Sequence, residues 1–249
     1  MNYIPSTFHI HSHPVASIEA TVLVPQARFT ILTPRLVRME YNANNHFEDR
    51  PSQVFWHRQQ PVPQFQQRRR DSELEIETDY LILRYTIGNQ FLPETLSIRL
   101  KGSGATWHFG DADTGNLFGT TRTLDNIDGQ IDLEPGLMSR LGWTAVDDSK
   151  SLVFNQDGWL DARQSSDETL DLYFLGYGND YSACLVDFCK VAGPVPLVPR
   201  WALGNWWSRY WAYTQNELAQ LMLDFRERNV PLSVCIIDMD WHITQTGNA

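Results

Sequence analysis

The C-terminal part of the chain is governed by residues 232–242, which read LSVCIIDMDWH. The first six of these residues are almost wholly apolar, a pattern typical of a strand in a parallel sheet whose two faces are both covered. The run ends in acidic and aromatic residues from Asp238 onward. Because sites in parallel α/β folds form at the carboxyl ends of strands, this end is the first candidate for a functional site.

A strand and a helix precede this run. Trp201–Trp206 is an apolar stretch that predicts another strand, and Thr214 and Glu217 have the spacing of a helix capping box. The residues after the box mark one apolar helix face: Leu218, Leu221, Met222 and Phe225. The order predicts a β–α–β unit. A (β/α)8 barrel takes about 250 residues, so residues 201–249 would supply only its beginning.

Residues 194–200 are predicted to link two domains. Three prolines fall within 194–199, and such a density of proline favours a stiff extended segment. We therefore place an N-terminal domain at 1–193, a linker at 194–200 and the start of the barrel at 201–249. Just before the linker, Asp180 predicts a helix start, Tyr181, Leu185 and Phe188 predict its apolar face, and Gly193 predicts its end.

The first 175 residues show a β pattern. In Leu74–Thr78 apolar and polar side chains alternate, as in a half-buried antiparallel strand. Many short strands between turn residues favour an antiparallel β-sandwich. The predicted strands are Ala20–Val24, Arg28–Leu32, Leu36–Tyr41, Gln53–His57, Leu74–Ile87, Thr95–Leu100, Ala105–Phe109, Leu152–Phe154 and Leu170–Leu175.

The amino-acid composition of the chain disfavours some classes of binding partner. Thirty acidic against twenty basic residues give a net charge of −10, which disfavours nucleic acid and anionic membranes. Nine tryptophans are compatible with stacking on the rings of a neutral sugar, although tryptophans also fill cores. The three cysteines have no metal-ligand spacing and predict free thiols in a reducing compartment. Together with the lack of a signal-peptide pattern, they predict a cytoplasmic protein.

Asp238 and Asp240 are the candidate site residues at the second strand end. They are two residues apart, so in a strand both side chains point to the same side. Carboxylates accept hydrogen bonds from sugar hydroxyls, and a nearby ring such as that of Trp206 can cover the apolar face of the sugar. The alternative is that both aspartates are solvated turn residues. They cannot be the nucleophile and acid of one reaction, because parallel neighbours cannot flank a bond from two faces.

A metal site is a second alternative. Asp238, Asp240 and His242 alternate along the chain, and His9 and His11 have the His-x-His spacing of metal-dependent hydrolase barrels. In such barrels that motif opens the barrel, whereas here a long β-rich stretch follows it. We therefore expect no cofactor and no catalytic metal. Phosphate-binding loops, the dinucleotide fingerprint and the serine-hydrolase elbow are missing from the sequence.

Five segments carry a resemblance to glycoside hydrolase family 31. Residues 201–211 (WALGNWWSRYW) resemble the barrel entry of that family, and 234–242 resemble its second barrel strand. Upstream, 47–53 (FEDRPSQ), 119–125 (GTTRTLD) and 174–178 (FLGYG) resemble parts of its N-terminal domain. The resemblance implies a galactose-mutarotase-like antiparallel β-sandwich followed by the first β–α–β unit of an incomplete (β/α)8 barrel.

The same resemblance implies a retaining α-glycosidase that hydrolyses α-glucosides or α-xylosides by double displacement without a metal. The nucleophile and the acid/base would come from later barrel strands, beyond Ala249, so the chain alone is expected to be inactive. Asp238 matches the aspartate that binds sugar hydroxyls, and Met239 the apolar contact beside it. The family's N-terminal domain sends a loop over the active-site mouth, for which 135–143, with Arg140 and Trp143, is the candidate.

Another class of function stays open at this stage. The sandwich could be a non-catalytic carbohydrate-binding or interaction module. In either case, unfinished parallel strands would expose apolar edges, so aggregation or a homo-oligomer is expected.

Overall fold

The computed structural model describes residues 11–119, 121, 123, 127–163, 169–239 and 241–242. The chain divides into two compact units, Met1–Pro194 and Val195–Ala249. This division falls at the beginning of the predicted linker 194–200. Each unit is described by itself below.

The first unit contains twelve strands among its described residues. In chain order they are β1 Thr21–Val24, β2 Ala27–Thr33, β3 Leu36–Tyr41, β4 Gln66–Arg70, β5 Glu73–Glu77, β6 Leu81–Thr86, β7 Leu96–Leu100, β8 Thr106–His108, β9 Thr144–Asp147, β10 Val153–Phe154, β11 Leu160–Asp161 and β12 Leu170–Leu175.

These strands form two five-stranded antiparallel sheets and a small hairpin. The first sheet has the order β1-β2-β3-β12-β9, and the second has the order β4-β5-β6-β7-β8. The second sheet is a simple meander, in which each strand pairs with the next along the chain. The first sheet instead brings together strands that are more than 120 residues apart, such as β3 and β12.

One hydrophobic core is shared by the two sheets. Phe29 on the first sheet lies 5.2 Å from Tyr85 on the second, and Phe174 lies 5.2 Å from Trp107, measured between ring centroids. The alternation predicted for Leu74–Thr78 supplies Leu74 and Ile76 to this core. Antiparallel sheets with a shared core therefore confirm the predicted β architecture of the first unit.

A helix covers the other face of the first sheet. Helix α1 spans Tyr181–Ala192, begins at Asp180, whose side chain accepts a hydrogen bond from the amide of Ala183, and ends at Gly193 with φ 102°. The predicted boundaries are therefore confirmed. The predicted apolar face is wrong in one respect: Leu185 is exposed, and Cys184 and Val191 are the buried residues that pack in a second core beside Phe55.

The second unit contains β13 (Trp206–Trp207), α2 (Gln215–Glu227) and β14 (Val234–Cys235). The two strands pair in parallel, so the predicted β–α–β order is confirmed. Both strands are shorter than predicted. A 3-10 helix occupies Arg200–Leu203, where the beginning of the first strand was expected.

Two further strand predictions need correction. Gln53–His57 forms no strand; it makes isolated bridges and hydrogen bonds with the segment at His13 and with α1 instead. Leu74–Ile87 is two strands, β5 and β6, because Thr78 caps a tight turn by accepting hydrogen bonds from the amides of Tyr80 and Leu81. Within the described part of the chain, neither helix has the length and apolar content to span a bilayer.

Candidate functional site

The candidate site lies at the end of the parallel strand pair in the second unit. Trp206 is opposite Val234 and Trp207 is opposite Cys235, and the amide of Ile236 donates to the carbonyl of Trp207 at 2.9 Å. This last bond extends the pairing by one residue beyond β14. The two strands therefore run side by side toward the same edge, where Asp238 follows on one strand and Ser208 on the other.

Helix α2 returns the chain between the two strands. Thr214 accepts a hydrogen bond from the amide of Glu217, and the Glu217 carboxylate accepts one from the amide of Thr214 at 2.8 Å, so the predicted capping box is present. Phe225 on the predicted helix face packs edge-on against Trp207, with 5.9 Å between centroids. This contact places the helix on the half-buried face of β13.

Glycine at position 204 permits the close approach of the strands. A side-chain carbon built on Gly204 would overlap the side chain of Ser233, whose amide donates to the carbonyl of Asn205. The Asn205 side chain also donates to the carbonyl of Pro231 at 2.8 Å. The segments that lead into β13 and β14 are thus joined directly, ahead of the site.

Asp238 is exposed at the end of the β14 segment, and Met239 beside it is partly buried. Among the described residues, Asp238 has no hydrogen-bond or ion-pair partner, so its carboxylate oxygens are free to accept bonds from a ligand. Asp240 lies outside the described residues, and the predicted pairing of the two aspartates therefore stays a prediction.

Trp206 is the aromatic candidate at the neighbouring strand. Its ring is 47 % exposed, and its indole nitrogen donates to the carbonyl of Ala202 at 3.0 Å, which holds the ring in place. Trp201 lies beside it with ring centroids 5.9 Å apart. Two exposed indole rings therefore lie next to each other in this unit. Such rings can stack on the apolar face of a sugar.

In the first unit, the candidate loop 135–143 is held at its base. The amide of Leu117 donates to the carbonyl of Met138, and the amide of Arg140 donates to the carbonyl of Gly115 at 2.8 Å. The Arg140 side chain is exposed and lines an open cleft of about 480 Å³ together with Arg35, Tyr80 and Asp180. Arg140 is thus available to a ligand, and its role with substrate stays a prediction.

Trp143 is a core residue, which corrects its interpretation as a substrate contact. It is 6 % exposed and its ring packs against Trp107 and Phe174, with centroids 6.3 and 6.4 Å away. A ring in this position has no open face on which a sugar could stack.

The strongest electrostatic feature of the first unit was missed from the sequence. On the first sheet, the buried Arg38 guanidinium donates two hydrogen bonds of 2.8 Å to Asp171 on the adjacent strand. Arg163 donates to Asp171 at 2.7 Å and to Asp148 at 2.6 Å. Glu40 lies within 3.0 Å of Arg38 and also binds Arg28. A sequence signal existed, because Arg38 and Glu40 alternate with apolar residues in β3.

The pKa values of Asp171 and Glu40 are shifted in opposite directions. Burial by itself raises the pKa of Asp171, but the charges of Arg38, Arg58 and Arg163 outweigh it and hold the pKa well below its usual range. Burial raises the pKa of Glu40 above its usual value, against the effect of Arg38. Asp171 is therefore the ionised centre of the network.

The metal alternative at the second strand end gains no support. His9 and Asp240 lie outside the described residues, and the described part of the chain holds no group of three or more His, Cys, Asp or Glu side chains able to bind a metal. His242 instead packs its ring against Trp241 at 4.4 Å.

Comparison with known proteins finds a family to which the second unit is similar. Residues 195–248, which include β13, α2 and β14, match the sequence model of the glycosyl hydrolases family 31 TIM-barrel domain. An alpha-xylosidase from Saccharolobus solfataricus is 32 % identical over 80 residues, which is 32 % of this chain and 10 % of that protein. The second unit of this chain is similar to the barrel domain of glycoside hydrolase family 31.

A second curated relative agrees with this assignment. Alpha-glucosidase 2 of Bacillus thermoamyloliquefaciens is 32 % identical to this chain over 69 residues, or 28 % of the chain and 9 % of the relative. The matched region thus spans about a tenth of the length of either curated relative.

Solved structures extend the likeness of fold to most of the chain. A family-31 alpha-xylosidase from a soil metagenome, complexed with xylose, matches 91 % of the chain and 41 % of its own length, with TM-score 0.58 and 13 % identity. The family-31 alpha-xylosidase of Xanthomonas citri matches 88 % and 44 %, with TM-score 0.55 and 10 % identity. At these identities the likeness concerns the fold alone.

Proposed function

We propose that this chain forms the N-terminal part of a retaining α-glycosidase that hydrolyses α-linked xylosides or glucosides. The observation that carries the proposal is the parallel β13–α2–β14 unit, whose second strand leads into Asp238 and whose sequence matches the family-31 barrel domain. The relatives named alpha-xylosidase and alpha-glucosidase support the choice of sugars.

In this proposal Asp238 binds sugar hydroxyls. Its carboxylate is exposed and unengaged among the described residues, as a group that must accept bonds from a substrate has to be. Hydrogen bonds to a charged group contribute more than neutral ones, about 1.5–3 kcal/mol each. Met239 and Trp206 would supply apolar contact beside the sugar, and Asp240 would assist Asp238.

The bond-breaking carboxylates are proposed to belong to later barrel strands. Double displacement needs a nucleophile and an acid about 5–5.5 Å apart, on either side of the glycosidic bond. Asp238 and Asp240 are only two positions apart in the sequence, so as neighbours on one strand they would not flank the bond from both sides and would not fill both roles. The chain by itself is accordingly proposed to be inactive, with a galactose-mutarotase-like first unit and the start of a (β/α)8 barrel as the second.

The test compares Asp238→Asn with wild type in a polypeptide that carries this chain together with a complete barrel. With p-nitrophenyl α-xyloside and α-glucoside, kcat/KM should fall by about ten- to a hundredfold, because a charged hydrogen bond to the sugar becomes a neutral one. Glu227→Gln, a change at an exposed position on α2, is the matched control and should keep wild-type kinetics.

Two results would contradict the proposal. Unchanged kinetics in Asp238→Asn would remove Asp238 from the sugar site. Turnover by the 249-residue chain alone, lost in Asp238→Asn, would show that the catalytic pair lies within it. The alternative of a non-catalytic carbohydrate-binding module rests on the first unit having its own shared core; sugar binding by the chain without any turnover in the longer polypeptide would favour it.

A cytoplasmic location is part of the same proposal. It rests on the three cysteines, which are all unpaired thiols: Cys184, Cys189 and Cys235. Association into a homo-oligomer is also proposed, because the second unit presents large apolar side chains to solvent.

A further inference from the structure

The backbones of His13 and His57 are bound to each other in the first unit. The two residues form a parallel bridge, in which the amide of His13 donates to the carbonyl of Trp56 at 3.0 Å and the amide of Arg58 donates to the carbonyl of His13 at 2.8 Å. His57 is held from its other side as well, because its amide donates to the carbonyl of Val191 in α1 at 2.8 Å. The two imidazole rings therefore start from fixed and adjacent positions.

Their ring nitrogens face each other at a distance that suits a shared ligand. The Nδ1 atoms are 3.4 Å apart and the ring centroids 5.6 Å apart. Hydrogen bonds from N–H groups usually measure about 2.9–3.0 Å, so this separation is long for a direct bond. Two nitrogens bound to one tetrahedral Zn²⁺ at roughly 2.0–2.1 Å would be about 3.3–3.4 Å apart.

The second nitrogen of His57 points away from this gap. A side-chain carbon built on Gly193 would lie 3.7 Å from Nε2 of His57, so this edge of the ring faces the end of α1. In the tautomer that carries its proton on Nε2, Nδ1 has the free electron pair and can bind a metal.

We propose that His13 and His57 chelate one divalent transition-metal ion, such as Zn²⁺, through their Nδ1 atoms, with water as the remaining ligands. Imidazole is a preferred ligand of zinc, copper and nickel. The described residues hold no larger ligand group, so the chelate has only two protein ligands and is weaker than a structural zinc site. The ion joins the segment around His13 to the rest of the first unit, and it takes no part in sugar hydrolysis.

The test is calorimetric titration of the full chain with Zn²⁺, for wild type and four variants. His13→Ala and His57→Ala should each weaken binding by about tenfold or more, because a chelate loses one of its two ligands. His46→Ala, which removes an exposed histidine of the same unit, should bind Zn²⁺ like wild type. Circular dichroism of each variant verifies the fold, and His57→Gln provides a second variant that preserves the size and polarity of the side chain.

The histidines near the N-terminus provide a competing explanation. His9, His11 and His13 alternate along the chain and could bind Zn²⁺ without His57. If His57→Ala and His57→Gln both bind Zn²⁺ as tightly as wild type, the histidines near the N-terminus bind the ion without His57 and the proposal is overturned. A wild-type chain that binds no Zn²⁺ at millimolar concentration would overturn it equally.

Discussion

At the scale of the residue, Trp143 shows how burial separates two roles that the sequence leaves equivalent. Its indole ring fills the shared core between Trp107 and Phe174, whereas Trp159, 50 % exposed, stands at the tip of the β10–β11 hairpin. Both tryptophans occur in polar, glycine-containing segments, so the sequence does not distinguish them. Only their surroundings in the folded unit do.

Replacement of these two tryptophans should therefore have different consequences. Trp143→Ala is expected to lower the free energy of unfolding of the first unit by about 3–5 kcal/mol, because it leaves a large cavity in the core. Trp159→Ala is expected to change it by less than about 0.5 kcal/mol, as is usual at the surface. Urea unfolding followed by circular dichroism measures both; equal effects would place Trp143 outside the core.

Asp171 is the second residue whose role depends on its surroundings, because its carboxylate is buried. Its pKa is depressed, so it stabilises the folded state at any pH above its unfolded pKa of about 3.9, and this contribution is lost as the pH falls further. Glu40 and Asp148 act in the opposite sense, because burial raises the pKa of each. Their ionised forms oppose folding at neutral pH.

Asp171→Asn should accordingly cost about 3–5 kcal/mol at pH 7, because it removes the buried carboxylate that binds both Arg38 and Arg163. The cost should shrink as the pH falls from 5 to 3, because protonation of Asp171 in the unfolded chain then stabilises the unfolded state of the wild type but not that of the variant. Glu73→Gln, which affects an exposed pair with Arg84, should cost less than about 1 kcal/mol throughout. Urea melts across this pH range would contradict the assignment if the cost of Asp171→Asn stayed constant.

At the scale of the element, the second unit depends on one close contact between the segments that begin its strands. Gly204 lies directly against Ser233, and no side-chain carbon fits between them. The parallel pair β13–β14 is only two residues long on each strand, so a small displacement at this contact removes much of the pairing.

Gly204→Ala should therefore weaken the pairing of β13 with β14 by about 1–3 kcal/mol, the usual cost of overpacking. The amide of Ile236, which donates to Trp207, should exchange its hydrogen faster with solvent. Gly102→Ala is the matched control, because a side-chain carbon at that turn meets nothing within 4 Å. Unchanged protection of Ile236 in Gly204→Ala would show that the contact is not limiting.

At the scale of the whole molecule, the two units differ in how they bury apolar side chains. The first unit has two hydrophobic cores, whereas α2 has no fully buried residue. Large apolar side chains of the second unit are exposed: Leu203, Trp206, Tyr210, Trp211, Ile237 and Trp241. A parallel sheet normally has both faces covered, and a pair of strands with one helix cannot cover them.

Limited digestion with trypsin should consequently leave the first unit intact. Residues 194–200 are all exposed, and Arg200 is the trypsin site at their end. We expect a resistant fragment that ends at Arg200, while the second unit is degraded because local opening costs little where few groups are buried. In Arg200→Gln the fragment should instead end at Arg209. Mass spectrometry identifies the end; survival of 201–249 with loss of the first unit would contradict this division.

Local patterns in the sequence were sufficient for several features of this protein. The capping box at Thr214 and Glu217, the helix boundaries at Asp180 and Gly193 and the parallel β–α–β order all depend on residues a few positions apart. For the same reason the resemblance to family 31 could be inferred from short ordered motifs. Strands without an apolar pattern were missed, such as β4, whose residues QQRRR are all exposed at a sheet edge.

The tertiary structure alone decided the features made by distant residues. Arg38 meets Asp171 across 133 positions of sequence, His13 meets His57 across 44, and Trp143 enters a core built from both sheets. Their positions depend on strand order and register, which place β12 beside β3. The energy of a buried charge or ring is set by whatever surrounds it in space, and neighbours in sequence do not specify those surroundings.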